Sequence, residues 1–288
     1  MKTLLPLLLL LVTLPVAIAG QGDAKKIEKL TADEIIARHL ASLGDKNALA
    51  STASRVMSGR GSITSKLGTS FVLEGPGQIA STGRSFVFAF VFDNPAYPYE
   101  KVAFDGQDAT YGLPSGKQTP LVSYLRAQGA ILHDGLMGGA LSTAWPLLNL
   151  PSAKAKVEAS GTAKIDGKLC YKLKYASART GDLKVTLYFD ADTFRHVRTE
   201  YAYTIEPRIG TSPTDTRSNA LVERYNMTED FSDFSQAEKL VLPLTYKITI
   251  SNESQITSTS GTSIREWTFH IDKVYFDQTL PPSAFKVA

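Results

Sequence analysis

The chain has 288 residues, of which 43% are hydrophobic and 20% charged, and its formal net charge is +3. Its 31 basic and 28 acidic residues nearly balance, and it has no basic run long enough to follow a phosphate backbone, which argues against nucleic-acid binding. A single cysteine, Cys170, excludes an intramolecular disulfide. A chain of this length can bury a core without such a cross-link, and we expect Cys170 to be a buried structural thiol.

Residues 1–19 have the features of a secretory signal peptide. Lys2 precedes the apolar run Leu4–Ile18, and the sequence Ala17-Ile18-Ala19 has the small–x–small pattern of a cleavage site. We therefore predict that the chain is exported and that this segment is removed.

The predicted mature chain is a single domain at residues 20–288. Position 20 is glycine, whereas a bacterial lipoprotein has at this position the cysteine that receives its lipid. We therefore expect no lipid anchor.

The first predicted element of the mature chain is an amphipathic helix. Thr31 and Glu34 have the spacing of a capping box, and Gly44 is a helix stop. Asp45 can then cap a second, shorter helix. The residues that recur at helical spacing in the first helix are Ile35, Ile36, His39, Leu40 and Leu43.

From Ser54 onward the hydrophobic pattern alternates, as in β-strands. Asp105-Gly106 and Asp166-Gly167 are strong signals for hairpin turns, and the order of strands is that of an antiparallel meander. The polar segment 206–218 is predicted to be a loop. The predicted strands are residues 54–63, 69–80, 84–92, 100–104, 108–111, 155–159, 161–165, 169–175, 183–189, 194–205, 221–231, 242–251 and 263–275.

One predicted strand places four phenylalanines on the same face of the sheet. Because alternate side chains of a strand share a face, Phe86, Phe88, Phe90 and Phe92 form what we call the phenylalanine stripe. Two interpretations remain open at this point. The stripe either fills a closed core or lines a cavity that holds a hydrophobic ligand.

Residues 119–150, here called the insertion, interrupt the alternation with an apolar segment of two or three predicted short helices. Gly129, Gly138-Gly139 and Pro146 break this segment too often for a transmembrane span. An apolar helical segment in a sheet protein must lie against the sheet, so the insertion becomes a lid if it covers the phenylalanine stripe. The insertion residues predicted to contact a ligand are Tyr124, Leu136, Met137, Leu141 and Trp145.

The sequence has only weak signatures of an enzyme. The four histidines are scattered, and neither a paired-histidine metal motif nor a G-x-S-x-G elbow is found. The adjacent pair His133-Asp134 is interpreted as a turn or cap, and Asp190 with Asp192 as a hairpin turn rather than a calcium site. We predict a protein that is not an enzyme and has no metal and no cofactor.

Three stretches in their order carry a family resemblance. They are the helix start Ala32–Ile36 that ends at Leu43-Gly44, the hairpin Leu187–Phe194 that leads to Val197-Arg198, and Phe231–Phe234 followed by Leu240–Pro243. With these the chain resembles the periplasmic lipoprotein-carrier superfamily that includes LolA, LolB, LppX and RseB.

The resemblance implies a mainly β (α+β) fold, an antiparallel half-barrel sheet with short helices covering its concave face and a hydrophobic cavity between them. It implies a periplasmic, monomeric carrier or binder of lipid or lipoprotein acyl chains, with a role in outer-membrane lipoprotein or lipid trafficking. The partners would be a lipid or an acylated protein and inner- or outer-membrane proteins. The stripe and the five insertion residues would form its cavity and lid.

Two points stay open within the resemblance. Soluble carriers of this superfamily use an arginine to hold the lid closed, and the sequence does not decide whether Arg55, Arg60, Arg84 or none of them has that role here. The alternative function, from the RseB side of the superfamily, is a periplasmic envelope-stress sensor that binds a protein partner. A hydrolase on the same scaffold would need a polar triad that only the fold could assemble.

Overall fold

The computed structural model describes residues 28–66, 70–205, 223–256 and 259–287. The predicted signal peptide at 1–19 and the predicted loop at 206–218 lie outside these residues.

Two helices open the described chain, α1 (Ala32–Leu43) and α2 (Lys46–Ser51). The predicted capping box is present, because Thr31 Oγ1 accepts a hydrogen bond from the Glu34 N–H at 3.3 Å and Glu34 Oε2 accepts one from the Thr31 N–H at 2.8 Å. Asp45 caps α2 by accepting from the N–H groups of Asn47 and Ala48. The helices therefore begin where the sequence predicted.

The strands form one antiparallel sheet, in the order β5-β4-β3-β2-β1-β12-β11-β10-β9-β8-β7-β6. Within the described residues β5 and β6 each pair with one neighbour, so the sheet is an open half-barrel and the predicted fold class is confirmed. The strands are β1 (Ser54–Ser65), β2 (Phe71–Thr82), β3 (Ser85–Val91), β4 (Tyr99–Phe104), β5 (Ala109–Tyr111), β6 (Lys156–Ile165), β7 (Lys168–Ala176), β8 (Lys184–Asp190), β9 (His196–Ile205), β10 (Glu223–Ala237), β11 (Leu240–Ile256) and β12 (Thr259–Phe276).

Several predicted strand boundaries were wrong, and two of the differences have a physical reason in the strand pairing. The segments 155–159 and 161–165 are one strand, β6, because a shift in the pairing register between Ala159 and Thr162 absorbs the irregularity at Gly161. Strand β10 continues past Phe231, since its pairing with β11 resumes beyond the positive φ of Asp233. The Asp166-Gly167 turn joins β6 to β7 as predicted, with both residues at positive φ.

The insertion contains α3 (Pro120–Ala127) and α4 (Ala130–His133), then 3₁₀ turns at Gly139–Leu141 and Pro146–Asn149, and leads into α5 (Leu150–Ala153). This agrees with the predicted set of short helices. Across the described ranges, every helix falls short of the length and hydrophobicity required to cross a bilayer.

The two faces of the sheet have different covers. The concave face, the insertion and α1 share one large hydrophobic cluster. On the convex face, Phe285 in the 3₁₀ turn Pro282–Phe285 packs on Val56, Ala80 and Val87. Strand β3 is thus covered on both faces near Val87.

The close fit of the stripe to the sheet depends on glycine. The Phe90 ring lies over β1 and β2, where a Cβ added to Gly61 would come within 2.4 Å of Phe90 Cδ1 and one added to Gly77 within 2.8 Å. Hydrogen in place of a side chain at these positions makes room for the ring.

We predict that Gly61→Val lowers the free energy of unfolding by roughly 1–3 kcal/mol, since the new side chain must displace Phe90. Urea denaturation of the two proteins measures the change. The matched control is Thr64→Val, on the opposite face of β1, which we expect to shift stability by no more than about 0.5 kcal/mol. Equal effects of the two substitutions would contradict the packing described here.

Candidate functional site

The phenylalanine stripe is enclosed. Phe88 and Phe90 are fully buried, and Phe86 and Phe92 are nearly so. The Phe88 and Phe90 ring centroids lie 4.6 Å apart, and the Phe90 ring is 5.7 Å from that of Phe269 on β12. The stripe is therefore continuous with the aromatic concave face of the whole sheet.

The insertion supplies the cover over this face. Its five predicted ligand-contact residues are all buried in the same hydrophobic cluster as the stripe, so the structure brings all nine predicted site residues together. Tyr124 also donates a hydrogen bond to the Tyr201 carbonyl at 2.9 Å. The role of these residues in ligand binding stays a prediction.

Arg55 joins β1 to the insertion. Its side chain is 1% exposed, and its Nη1 donates to the backbone carbonyl oxygens of Ala140 and, at 3.2 Å, Ser142. Among the three arginines that the sequence left open, Arg55 is thus the one that holds the 3₁₀ turn of the insertion from within the core. Arg84 donates to the His133 carbonyl at 2.7 Å from an exposed position.

Glu229 on β10 is a buried carboxyl group under the insertion. Its Oε1 accepts from the Gly138 N–H at 2.7 Å and from the Tyr246 hydroxyl, and its Oε2 accepts from the Tyr201 hydroxyl at 2.5 Å. Burial raises the pKa of Glu229 to about 7, although these three donors favour the ionised form. The carboxyl group therefore ties the insertion to three neighbouring strands.

Glu100 on β4 holds the other end of the insertion. It accepts from the hydroxyl of Thr119, the N-cap of α3, at 2.8 Å and from Trp267 Nε1 at 3.0 Å. The Tyr97 hydroxyl donates to it as well. Burial raises the pKa of Glu100, as it does that of Glu229.

Two buried histidines lie beneath the insertion. His196 stacks on Trp145 with ring centroids 4.9 Å apart, and His39 of α1 lies 6.1 Å from His196. Burial lowers the pKa of His39 to about 4 and that of His196 well below its usual range, so both are neutral at pH 7. Gly139 approaches so closely that a Cβ there would lie 2.9 Å from His196 Nδ1.

An open cleft lies beside this enclosed core, between the α1–α2 segment and the end of the insertion. Its volume is about 1000 Å³, at the upper end of the roughly 300–1,000 Å³ typical of ligand pockets. Leu40, Leu49 and Leu148 line it, together with Arg55. A neighbouring cavity of about 590 Å³ shares Leu40 and Leu148 and extends the cleft along the insertion.

Some residues resembled catalytic or metal-binding groups in the sequence, and the structure gives them structural roles. Asp134 accepts a hydrogen bond from the Ser177 hydroxyl at 2.5 Å, and Asp190 accepts from the Thr193 N–H at 2.8 Å within its hairpin turn. Cys170 is buried, and burial raises the pKa of its thiol to about 11. Among the described residues, no three His, Cys, Asp or Glu side chains are grouped as metal ligands would be.

Sequence reasoning missed Glu100 and Glu229 as part of the site, and it named Arg55 only as one of three candidates for the arginine that holds the lid. The sequence did carry a signal for all three. Each occupies one of the alternate positions of its strand whose side chains face the core. Arg55 alternates with Met57, and Glu229 lies between Met227 and Phe231, all of them core residues. A charged residue at an inward position predicts a buried polar contact but not its partner.

We predict that Glu229→Gln changes the pH dependence of stability. Between pH 4.5 and about 7 the unfolded carboxyl is ionised while the folded one keeps its proton, so its contribution to stability is lost as the pH rises. The variant lacks this loss and should gain about 3 kcal/mol relative to the wild type between pH 4.5 and 7.5.

Denaturation of both proteins across that range measures the difference, from which the contributions of His39 and His196 cancel. A difference that stays flat between pH 5 and 8 would contradict the raised pKa of Glu229.

Comparison with known proteins returns solved structures only. No family model and no curated protein matches the sequence. A LolA superfamily protein from Nitrosomonas europaea is 14% identical, with 90% of this chain and 99% of that chain covered at a TM-score of 0.43. A domain of an outer membrane lipoprotein-sorting protein from Vibrio parahaemolyticus is 14% identical, with 88% and 94% covered at 0.45.

A DUF1329 family protein from Desulfovibrio piger is also 14% identical, with 88% of this chain and 96% of that chain covered at a TM-score of 0.44. The chain is thus similar to these three proteins at 14% identity and TM-scores of 0.43 to 0.45. Membership of the LolA superfamily stays a prediction from the sequence.

Proposed function

We propose that this chain is a non-enzymatic, periplasmic carrier or binder of lipid or lipoprotein acyl chains. In this proposal the insertion lifts away from the phenylalanine stripe, and an acyl chain takes its place between stripe and insertion. The cargo is a lipid or an acylated protein that is passed between membrane partners.

One observation supports this function above the others. Within the described residues, every hydrogen bond between the insertion and the rest of the protein involves a side chain on at least one side. No backbone ladder of the kind that joins the strands has to break when the insertion moves. The positive φ values of Gly135, Gly138 and Gly139 mark where its backbone turns.

The free energy lost when the insertion leaves the stripe is similar to the free energy gained when an acyl chain binds there. A side-chain hydrogen bond contributes about 0.5–1.5 kcal/mol net, and burial of one methylene about 0.8 kcal/mol. An acyl chain of a dozen or more carbons can therefore replace the apolar contacts that the insertion gives up. The aromatic concave face stays covered in both states.

The test is to lock the insertion with a disulfide. The Thr143 N–H donates to Ser81 Oγ at 3.0 Å, which keeps the two Cα atoms within about 7 Å, the reach of a disulfide. Ser81→Cys with Thr143→Cys therefore allows a disulfide between β2 and the insertion. The native Cys170 is buried and does not compete. We expect the oxidised protein to take up at least about tenfold less lipid than the same protein after reduction, because binding requires the insertion to open.

Native mass spectrometry and organic extraction, after incubation with phospholipid and acylated peptide, measure the uptake. Each single cysteine variant, treated with the same oxidant, is the matched control. Equal uptake by the oxidised and reduced forms would contradict opening of the insertion. A folded protein that takes up no lipid in any form would contradict the carrier function and favour the sensor that binds a protein partner.

A further inference from the structure

Arg55 is a buried charge that has only carbonyl groups as partners. Its Nη1 bonds to the Ala140 and Ser142 carbonyl oxygens, and its Nε has no hydrogen-bond partner in the described chain. No carboxylate of the described residues lies within the 4.0 Å of an ion pair. Burial lowers the pKa of Arg55 to about 10, so the guanidinium is still charged at neutral pH.

A charged group in this position is unusual. Arginine is rarely buried without a carboxylate, because removal from water costs free energy that carbonyl oxygens repay only in part. Arg55 is also one of the residues that line the open cleft of about 1000 Å³. The cleft therefore combines an uncompensated cation with a mainly apolar wall.

The other charged residues at the cleft do not neutralise Arg55. Asp45 lines it, but its carboxylate accepts the N–H groups of Asn47 and Ala48 at the start of α2. Lys46 lines it as well and offsets the charge of Asp45, so Arg55 leaves the cleft with a net positive charge. The cleft thus favours a ligand with a negative head and a long apolar tail.

We propose that the Arg55 cleft binds the carboxylate of a long-chain fatty acid, whose acyl chain lies along Leu40, Leu49 and Leu148 until the insertion opens. The inference rests on the proposed function and names the class of head group that the acyl cargo carries. One cation matches one monoanionic group, and the planar guanidinium edge that includes Nε pairs with a planar carboxylate in bidentate geometry.

The same guanidinium then serves two partners. Nη1 holds the carbonyl groups of Ala140 and Ser142, while the carboxylate competes for the charge that strengthens those bonds. Binding of an acidic head group therefore weakens the bonds from Arg55 to the insertion. The acyl chain of the same ligand can then enter beneath the insertion. The charge of the cargo is thereby coupled to the opening of the insertion.

The experiment compares oleate with methyl oleate, which has the same chain without the charge. Displacement of a fluorescent hydrophobic dye from the full mature chain gives both affinities. We expect the wild type to prefer oleate by about tenfold, as for a charge-assisted hydrogen-bonded pair, and Arg55→Gln to bind the two within about twofold.

The matched control is Arg84→Gln. It also removes an arginine bond to an insertion carbonyl, that of His133, but Arg84 lines a different cavity. We expect this variant to keep the tenfold preference. If Arg84→Gln loses the preference as Arg55→Gln does, a general loosening of the insertion is responsible and the proposed site is wrong.

The outcomes separate this inference from the proposed function. Equal binding of oleate and methyl oleate by the wild type overturns the Arg55 site and leaves the acyl carrier intact, whereas binding of neither overturns both. Tighter binding of lysophosphatidylglycerol than of oleate would overturn the carboxylate in favour of a phosphate head group.

A second measurement needs no folded Arg55→Gln protein. In wild-type protein labelled with ¹⁵N-arginine, oleate should shift the Nε–H resonance of Arg55 and methyl oleate should not. Arg55→Lys, which keeps the positive charge, identifies the resonance by its disappearance. An Nε–H resonance that oleate leaves unmoved would also overturn the proposal.

Discussion

The structure depends on one constraint, which is that an open sheet with an aromatic concave face must be covered. Phe88, Phe90, Tyr246 and Trp267 all lie on that face and are fully buried. Exposing even one such side chain costs about 1.5–3 kcal/mol, and a half-barrel cannot hide them by closing on itself. The insertion and α1 supply this cover. The buried polar contacts and the cleft lie where these two elements pack on the sheet.

Apolar contacts alone do not fix where such a cover sits, because they have no direction. Directional hydrogen bonds fix the position instead. They are made by Arg55, Glu100 and Glu229, each of which bonds to particular groups of the insertion. Their desolvation costs offset much of what their bonds contribute, which the raised pKa values of the two carboxyl groups express. These residues specify the docked position more than they stabilise it.

Much of the fold could be predicted from the sequence because its signals are local. The capping box at Thr31, the alternation through the stripe and the Asp-Gly turns each act within a few residues. The site could be predicted only in part. Arg55 meets Ala140 across 85 positions of sequence, and the cleft exists only where α1 approaches the end of the insertion. Contacts between residues so far apart in the sequence leave no periodic pattern. A charged residue at a core-facing strand position predicts a buried polar contact but does not identify its partner.

The register shift in β6 has a consequence for one of the two free edges of the sheet. An unpaired edge strand offers its backbone groups to any extended chain, and natural proteins protect such edges with lysines and bulges. Strand β6 has Lys156 and Lys164 and carries its register shift between Ala159 and Thr162. A neighbouring copy that added a strand here would lose its pairing halfway along and would meet Lys164 and the ion pair of Lys156 with Glu158. The β6 edge of the open barrel is thus shielded from fibre-like self-association.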